Sequence, residues 1–167
     1  MNGIFINNKV SDIEKLDLSI ADDCNLNDKT VERNESRRKG KKIKYRLGSV
    51  HLFENSYVLT AFTHFTDDNK AYLTMSDFLQ FLVTFWDEID RIYSGRSIAI
   101  PLLGSGITRF KGYDMISDQE LLEILVWSYK ISRVKFTYPS TVTFVIHEGI
   151  KEKINFYEIK RRNNNGI

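Results

Sequence analysis

The sequence predicts a three-layer α/β sandwich built as a single domain, and three observations predict it. Helical patterns alternate with continuous apolar strand patterns, the arrangement of sheets covered on both faces. At 167 residues the chain has the length of one domain and can bury roughly two thirds of its extended surface. Its composition, 42% hydrophobic and 28% charged, is that of an ordinary folded soluble protein.

The elements follow in order. Gly3–Asn7 alternates apolar and polar residues and reads as a short strand, and Leu16–Ala21 reads as a second. Asp22–Lys42 is polar and punctuated by Asn, Asp, Ser and Gly, so it reads as loop with one helical turn. Val50–Phe53 and Tyr57–Phe62 form a hairpin around Glu54-Asn55-Ser56, and Thr66–Lys70 is a turn. The clearest helix starts at a Ser76 cap. It carries Phe78, Phe81, Leu82, Phe85, Ile89 and Ile92 at i, i+3 and i+4 spacing and ends at Gly95. Ser97–Leu103 is a buried strand that runs into Gly104-Ser105-Gly106. Ser117 caps a second helix with Leu121, Leu122, Leu125, Val126 and Tyr129 on one face. After Pro139 come a last strand, Thr141–His147, and a last helix, Lys151–Lys160. The domain is expected to span residues 1–160, with 161–167 as a disordered tail.

Composition narrows the function classes. The single cysteine, Cys24, excludes an intrachain disulfide, and no Cys/His spacing suits zinc, so no metal site is expected. A reducing, cytoplasmic compartment is expected. Met1–Val10 lacks the apolar stretch of a secretory signal, and the run Phe78–Trp86 is broken by Gln80 and Thr84, far short of a membrane span. Membrane contact is expected only through segments absent from this chain. The net charge of +2 is uneven. Arg33, Arg37, Arg38, Lys39, Lys41, Lys42, Lys44 and Arg46 crowd one window against Glu35. Tyr45 is the one aromatic within that run, so stacking on bases has little support and no nucleic-acid partner is expected.

In α/β sheets ligands sit at the carboxyl ends of the strands. That rule points to Asp22–Cys24, Phe62–Phe65, Gly104–Phe110 and His147. The sharpest segment is Ile98–Phe110, a buried strand entering a Gly-Ser-Gly turn. Glycines permit positive φ and close approach of a ligand. Successive N–H groups in such a turn make a nest for phosphate. The hydroxyls of Ser105 and Thr108 can add donors there, and Arg109 can add charge. Earlier in the chain, Ser11-Asp12-Ile13 offers a carboxylate that can accept from an exocyclic amine such as adenine's; on chemistry alone, an Asp in a turn or at a helix N-cap is the more frequent reading.

Taken together, Val10-Ser11-Asp12-Ile13, Leu18-Ser19-Ile20-Ala21, the Gly104 loop and Phe144-Val145-Ile146-His147 resemble the macro domain, over roughly Gly3 to Lys160. Leu59–Phe65, Asn69-Lys70-Ala71 and Pro101–Arg109 are similar to a narrower group, the macro-like domains of Thoeris antiphage effectors. The resemblance implies a three-layer α/β/α sandwich with a mixed central sheet. It implies a small-molecule ligand, ADP-ribose or an ADP-ribose conjugate, with no resident cofactor. The functional partner would be a TIR-domain enzyme that makes the signal from NAD. Where such effectors are membrane-anchored, this part would be the cytosolic domain.

By that resemblance Asp12 holds the adenine amine with Ile13 alongside. Gly104, Ser105, Gly106 and Ile107, flanked by Leu103, Thr108 and Arg109, cradle the diphosphate. Phe110 and His147 flank ribose or adenine. One departure matters. The Asn- and Gly-rich strand end of hydrolytic macro domains is replaced by Asp22-Asp23-Cys24-Asn25-Leu26. Two acids there would repel phosphate unless they faced a cationic part of a modified ligand. The expectation is therefore a receptor, with ADP-ribosyl hydrolase as the alternative.

Overall fold

The computed structural model describes residues 13–38, 40–68, 70–106, 109–112 and 116–164. The strand expected at Gly3–Asn7 lies outside them, as do Ser11, Asp12, Ile107 and Thr108.

The chain is mixed α/β. Helices α1 (Ile13–Ala21) and α2 (Cys24–Asn27) lead into strands β1 (Thr30–Arg33) and β2 (Ile43–Tyr45). The hairpin strands β3 (Val50–Phe53) and β4 (Tyr57–Thr60) follow, then β5 (His64–Phe65), β6 (Ala71–Leu73) and helix α3 (Met75–Ile92). Strands β7 (Ile98–Pro101) and β8 (Arg109–Phe110), helix α4 (Asp118–Ile131) and strand β9 (Val142–Val145) come next. Helices α5 (Glu148–Lys151) and α6 (Phe156–Asn164) complete the order. In place of one continuous sheet, the described strands form four small ones, β1-β2, β3-β4, β5-β6-β8 and β7-β9. The β6-β8 and β7-β9 pairs are parallel and the others antiparallel. The strands run only two to four residues, and Pro101 has no N–H to extend the ladder of β7.

Helix α3 organises the core. Thr74 caps it in a reciprocal box with Asp77, two residues before the cap expected at Ser76. Phe78, Phe81, Leu82, Phe85, Trp86 and Ile89 are all buried, each contributing roughly 1.5–3 kcal/mol in apolar transfer. Helix α4, capped by Ser117 as expected, adds Leu121, Leu122 and Leu125. The indole of Trp86 donates to Ser128 Oγ (2.8 Å), and that hydroxyl donates to the Leu125 carbonyl (2.7 Å), so the one polar group of the largest core side chain is satisfied. The chain enters β3 through Gly48, φ +85. A Cβ there would lie 2.6 Å from Thr84 Cβ and 2.7 Å from the Phe81 carbonyl, so this turn is pressed against α3.

Three sequence expectations are corrected. Leu16–Ala21 is helical; Leu18 is 65% exposed and Leu16 is buried, with Ser19 and Ile20 completing the inner face at i+3 and i+4. A polar residue on that face disguised the helical period. The Asp22–Lys42 loop contains α2 and β1; β1 pairs with β2 from Thr30↔Tyr45 to Arg33↔Ile43 and went unread because its residues are mostly exposed. The last helix, expected at Lys151–Lys160, begins only at Phe156, after the short α5 and the gap at residues 152–155, and continues to Asn164, held by Arg162 on Glu123 (2.6 Å).

Candidate functional site

Strand β7 is apolar and enters the hydrophobic core, with Ile100 buried. It lies parallel to β9 in register from Ile98↔Val142 to Pro101↔Val145. Both strands therefore release their chains at the same edge, Leu103–Gly106 from one and His147 from the other. Leu102 N–H bonds the Val145 carbonyl (3.2 Å) as the last tie between them.

At that edge Leu103 turns into the core and the chain reverses at Gly104, φ +91. A Cβ on Gly104 would stand 3.1 Å from the Phe110 ring and 3.2 Å from Leu121, so the loop lies flat on the core. Phe110 is 7% exposed and meets Phe78 edge-on at 5.5 Å, which makes it the floor beneath the loop. Gly106, φ +97, is the opposite case: a Cβ there would meet nothing within 4 Å among the described residues. The backbone needs glycine, and the space beside it is open.

Ser105 Oγ donates to Asp118 Oδ1 at 2.8 Å. Its proton is committed, so its oxygen offers the groove lone pairs only. Anion donors in this loop are then backbone N–H groups. Asp118 stands in the first turn of α4 and brings a negative charge beside the loop.

The loop opens into a groove of about 1600 Å³ that also takes in Thr63, His64, Tyr72 and Tyr45 and reaches Arg37, Lys41, Lys42 and Lys44. His64 Nε2 stands 3.6 Å from Asp77 Oδ2, and its ring lies 5.5 Å from that of Tyr72. The hydrogen bond from Thr74 holds the Asp77 carboxyl below its ordinary value; burial opposes this and His64 adds to it. Burial pushes the Tyr45 phenol up, against the charge of Arg33.

The other candidates sit elsewhere. Asp22 and Cys24 are exposed at the α1–α2 junction. Asp23 caps α2 by accepting from Asn25 N–H (3.0 Å) and pairs with His51 Nδ1 (2.8 Å), while His51 Nε2 meets Ser19 Oγ (2.9 Å). Burial would raise the Asp23 carboxyl, but the bonds from His51 and Asn25 outweigh it and hold it below the ordinary value. Ser19, His51 and Asp23 have the residue types and spacings of a hydrolytic triad. However, Ser19 lies inside α1, where backbone N–H groups belong to the helix ladder, and nucleophilic catalysis needs N–H donors aimed at an oxyanion. The chain of bonds instead fastens α1 and α2 to β3. None of these residues lines the groove, and neither does Ile13, which opens α1 half-exposed. His147 caps α5, its Nδ1 accepting from Gly149 N–H (3.0 Å), and Arg109 opens β8.

The structure thus gathers Leu103–Gly106 over Phe110 with His147 at the neighbouring strand end, and places Asp22–Cys24 apart from them. Tyr45, Tyr72, His64 and Asp118 were not singled out as site residues. The strand-end rule did point to Phe62–Phe65, and the Ser117 cap placed the first turn of α4. No group of three or more metal-ligating side chains occurs among the described residues, and none of their helices is long and apolar enough to cross a membrane.

A mixed α/β chain whose parallel strands end in a glycine turn over an open groove has the make-up of a macro-type domain. The family model described as "Thoeris protein ThsA, Macro domain" matches residues 1–147, and the chain belongs to that family. It is also 38% identical over 170 residues to the Thoeris protein ThsA of Bacillus amyloliquefaciens (strain Y2), an alignment covering all of this chain and 56% of that relative.

Proposed function

We propose that this chain is the ligand-sensing domain of a Thoeris antiphage effector. It holds an ADP-ribose-derived nucleotide, made from NAD by a TIR-domain enzyme, in the groove beside Gly104–Gly106. It acts in the cytosol, on the three-layer sandwich of macro domains, and does not turn its ligand over. The observation that carries the reading is the open space beside Gly106, where positive φ turns the strand-end backbone toward a groove roomy enough for a dinucleotide; sites for ligands of that kind occupy roughly 300–1,000 Å³. Family membership supports it. Asp12, outside the described residues, is assigned the adenine amine by the macro resemblance, so guanine analogues should bind poorly.

The test is a thermal-shift and calorimetric panel of ADP-ribose, its conjugates, cyclic isomers and NAD. A member that binds stabilises the folded state by mass action. No shift with any member at millimolar concentration would overturn the reading. Chromatography of the best ligand over hours decides between receptor and hydrolase, and multiple turnovers would establish the hydrolase.

A further inference from the structure

We propose that Lys41, Lys42 and Lys44, where the β1–β2 connection enters β2, form a cationic wall of the groove that neutralises the ligand's diphosphate. The inference rests on the nucleotide reading of the groove and adds to it the site of charge recognition.

The glycine loop is short of positive charge. Backbone N–H groups there are neutral. Ser105 has turned its proton to Asp118, and Asp118 adds negative charge next to the place where phosphate would lie. A diphosphate carries charge that neutral donors alone balance poorly in a partly shielded groove. Compensating cations must line another wall, and they do. Lys41, Lys42 and Lys44 line the same groove as Gly104, Ser105 and Gly106. Arg37 Nη2 donates to the Thr66 carbonyl (3.2 Å), one residue beyond β5, and so ties the segment to the groove's rim.

The lysines have acidic partners. Lys41 pairs with Asp17, Lys42 with Glu35 (3.2 Å) and Lys44 with Glu32 (4.0 Å). Those carboxylates are 46%, 77% and 55% exposed. Exposed pairs of this kind contribute little, so a ligand dianion competes for the ammonium groups at little loss. The acids that line the groove are Glu32 and Asp67, too few to cancel the wall.

The experiment uses the full chain and ADP-ribose as the probe, titrated calorimetrically at 50 and 300 mM salt. The triple variant Lys41→Gln, Lys42→Gln, Lys44→Gln is compared with the parent. A control, Lys135→Gln, Lys153→Gln, Lys160→Gln, removes the same charge elsewhere on the surface. The wall variant should lose about tenfold in affinity at low salt, and its affinity should be nearly independent of salt. The parent and the control should both weaken as salt screens the charges. Equal affinity and equal salt dependence in wall variant and parent would overturn the wall; if Gly106→Val still abolishes binding, the nucleotide reading stands. A control that loses as much as the wall variant also overturns it, by reducing the effect to net charge. Failure of the parent to bind ADP-ribose at millimolar concentration overturns the wall and the groove reading together. A single-stranded RNA oligonucleotide that binds more tightly than ADP-ribose and displaces it would reassign the wall to nucleic acid.

Discussion

Gly48 and Gly106 have nearly the same backbone conformation, φ +85 and +97, in regions with opposite surroundings. Gly48 lies where the chain crosses α3 on its way into β3, and a single added carbon would meet the helix at 2.6–2.8 Å. Gly106 lies over the groove, and an added carbon would meet nothing. The first glycine is required by packing. The second is required only by its own dihedral angle, as are Gly95 and Gly112, beside which a Cβ also meets nothing among the described residues. Positive φ alone does not mark a site, nor does open space beside it, since Gly112 after β8 has both; what sets Gly106 apart is that it lines the groove.

The largest effect tests the packed region. Gly48→Ala places Cβ against Phe81 and Phe85 backbone atoms that belong to α3 and cannot swing aside. The expected loss is about 3–5 kcal/mol, the range of severe overpacking with backbone strain. Calorimetric unfolding should show Tm lower by about 10 °C. A loss below ~1 kcal/mol would mean that the chain stands off α3 in solution.

Gly106→Val tests the open region. Its stability loss should be only the left-handed strain of one residue, about 1–2 kcal/mol. Affinity for ADP-ribose should fall at least tenfold, or ~1.4 kcal/mol, because the branched side chain occupies the space of the ligand. If the two glycine variants lose stability equally and Gly106→Val keeps its affinity, the distinction between packed and open glycines fails.

Asp118→Asn sharpens the contrast. Removing the charge beside the loop and leaving Ser105 a neutral partner should raise ADP-ribose affinity roughly two- to fivefold, or ~0.4–1 kcal/mol. Weaker binding in this variant, measured by calorimetry, would show that the carboxylate contacts the ligand favourably.

The two regions also differ in how legible they were. The α3 stripe, the hairpin in register Val50↔Thr60 and the Gly104–Gly106 turn follow from periodicity and turn chemistry, which are local. Gly48 was invisible, because what it touches lies 33 to 37 residues along the chain, at Phe81 to Phe85. The β1–β2 pair was invisible because exposed strands carry no apolar alternation. Ser105 was legible as a hydroxyl in a glycine loop but not as a donor to Asp118, since that bond depends on where α4 starts in space. The burial of His51, 7% exposed, depends on partners far along the chain, Ser19 and Asp23, and so is not legible from local pattern.

That His51 contact gives the smallest prediction, and it lies in neither glycine region. The Asp23 carboxyl has its pKa below the ordinary 3.8, so the folded state binds its proton less readily than the unfolded chain does. Stability then rises with pH across this titration: the contribution is fully present above the unfolded value and is lost as pH falls through the lowered folded one. Burial of the carboxylate works against the bonds from His51 and Asn25, so the net contribution should stay under about 1 kcal/mol. Thermal unfolding of the parent between pH 5 and 3 should show this loss within its general acid sensitivity. Asp23→Asn should be less stable than the parent at pH 5, and the gap should narrow toward pH 3. Throughout, Gly106→Val and the parent should keep parallel pH profiles, since the groove loop has no part in the Asp23 bonds. A gap between Asp23→Asn and the parent that stays constant over this range would mean that the carboxylate's charge adds nothing to the fastening of α1 and α2 onto β3.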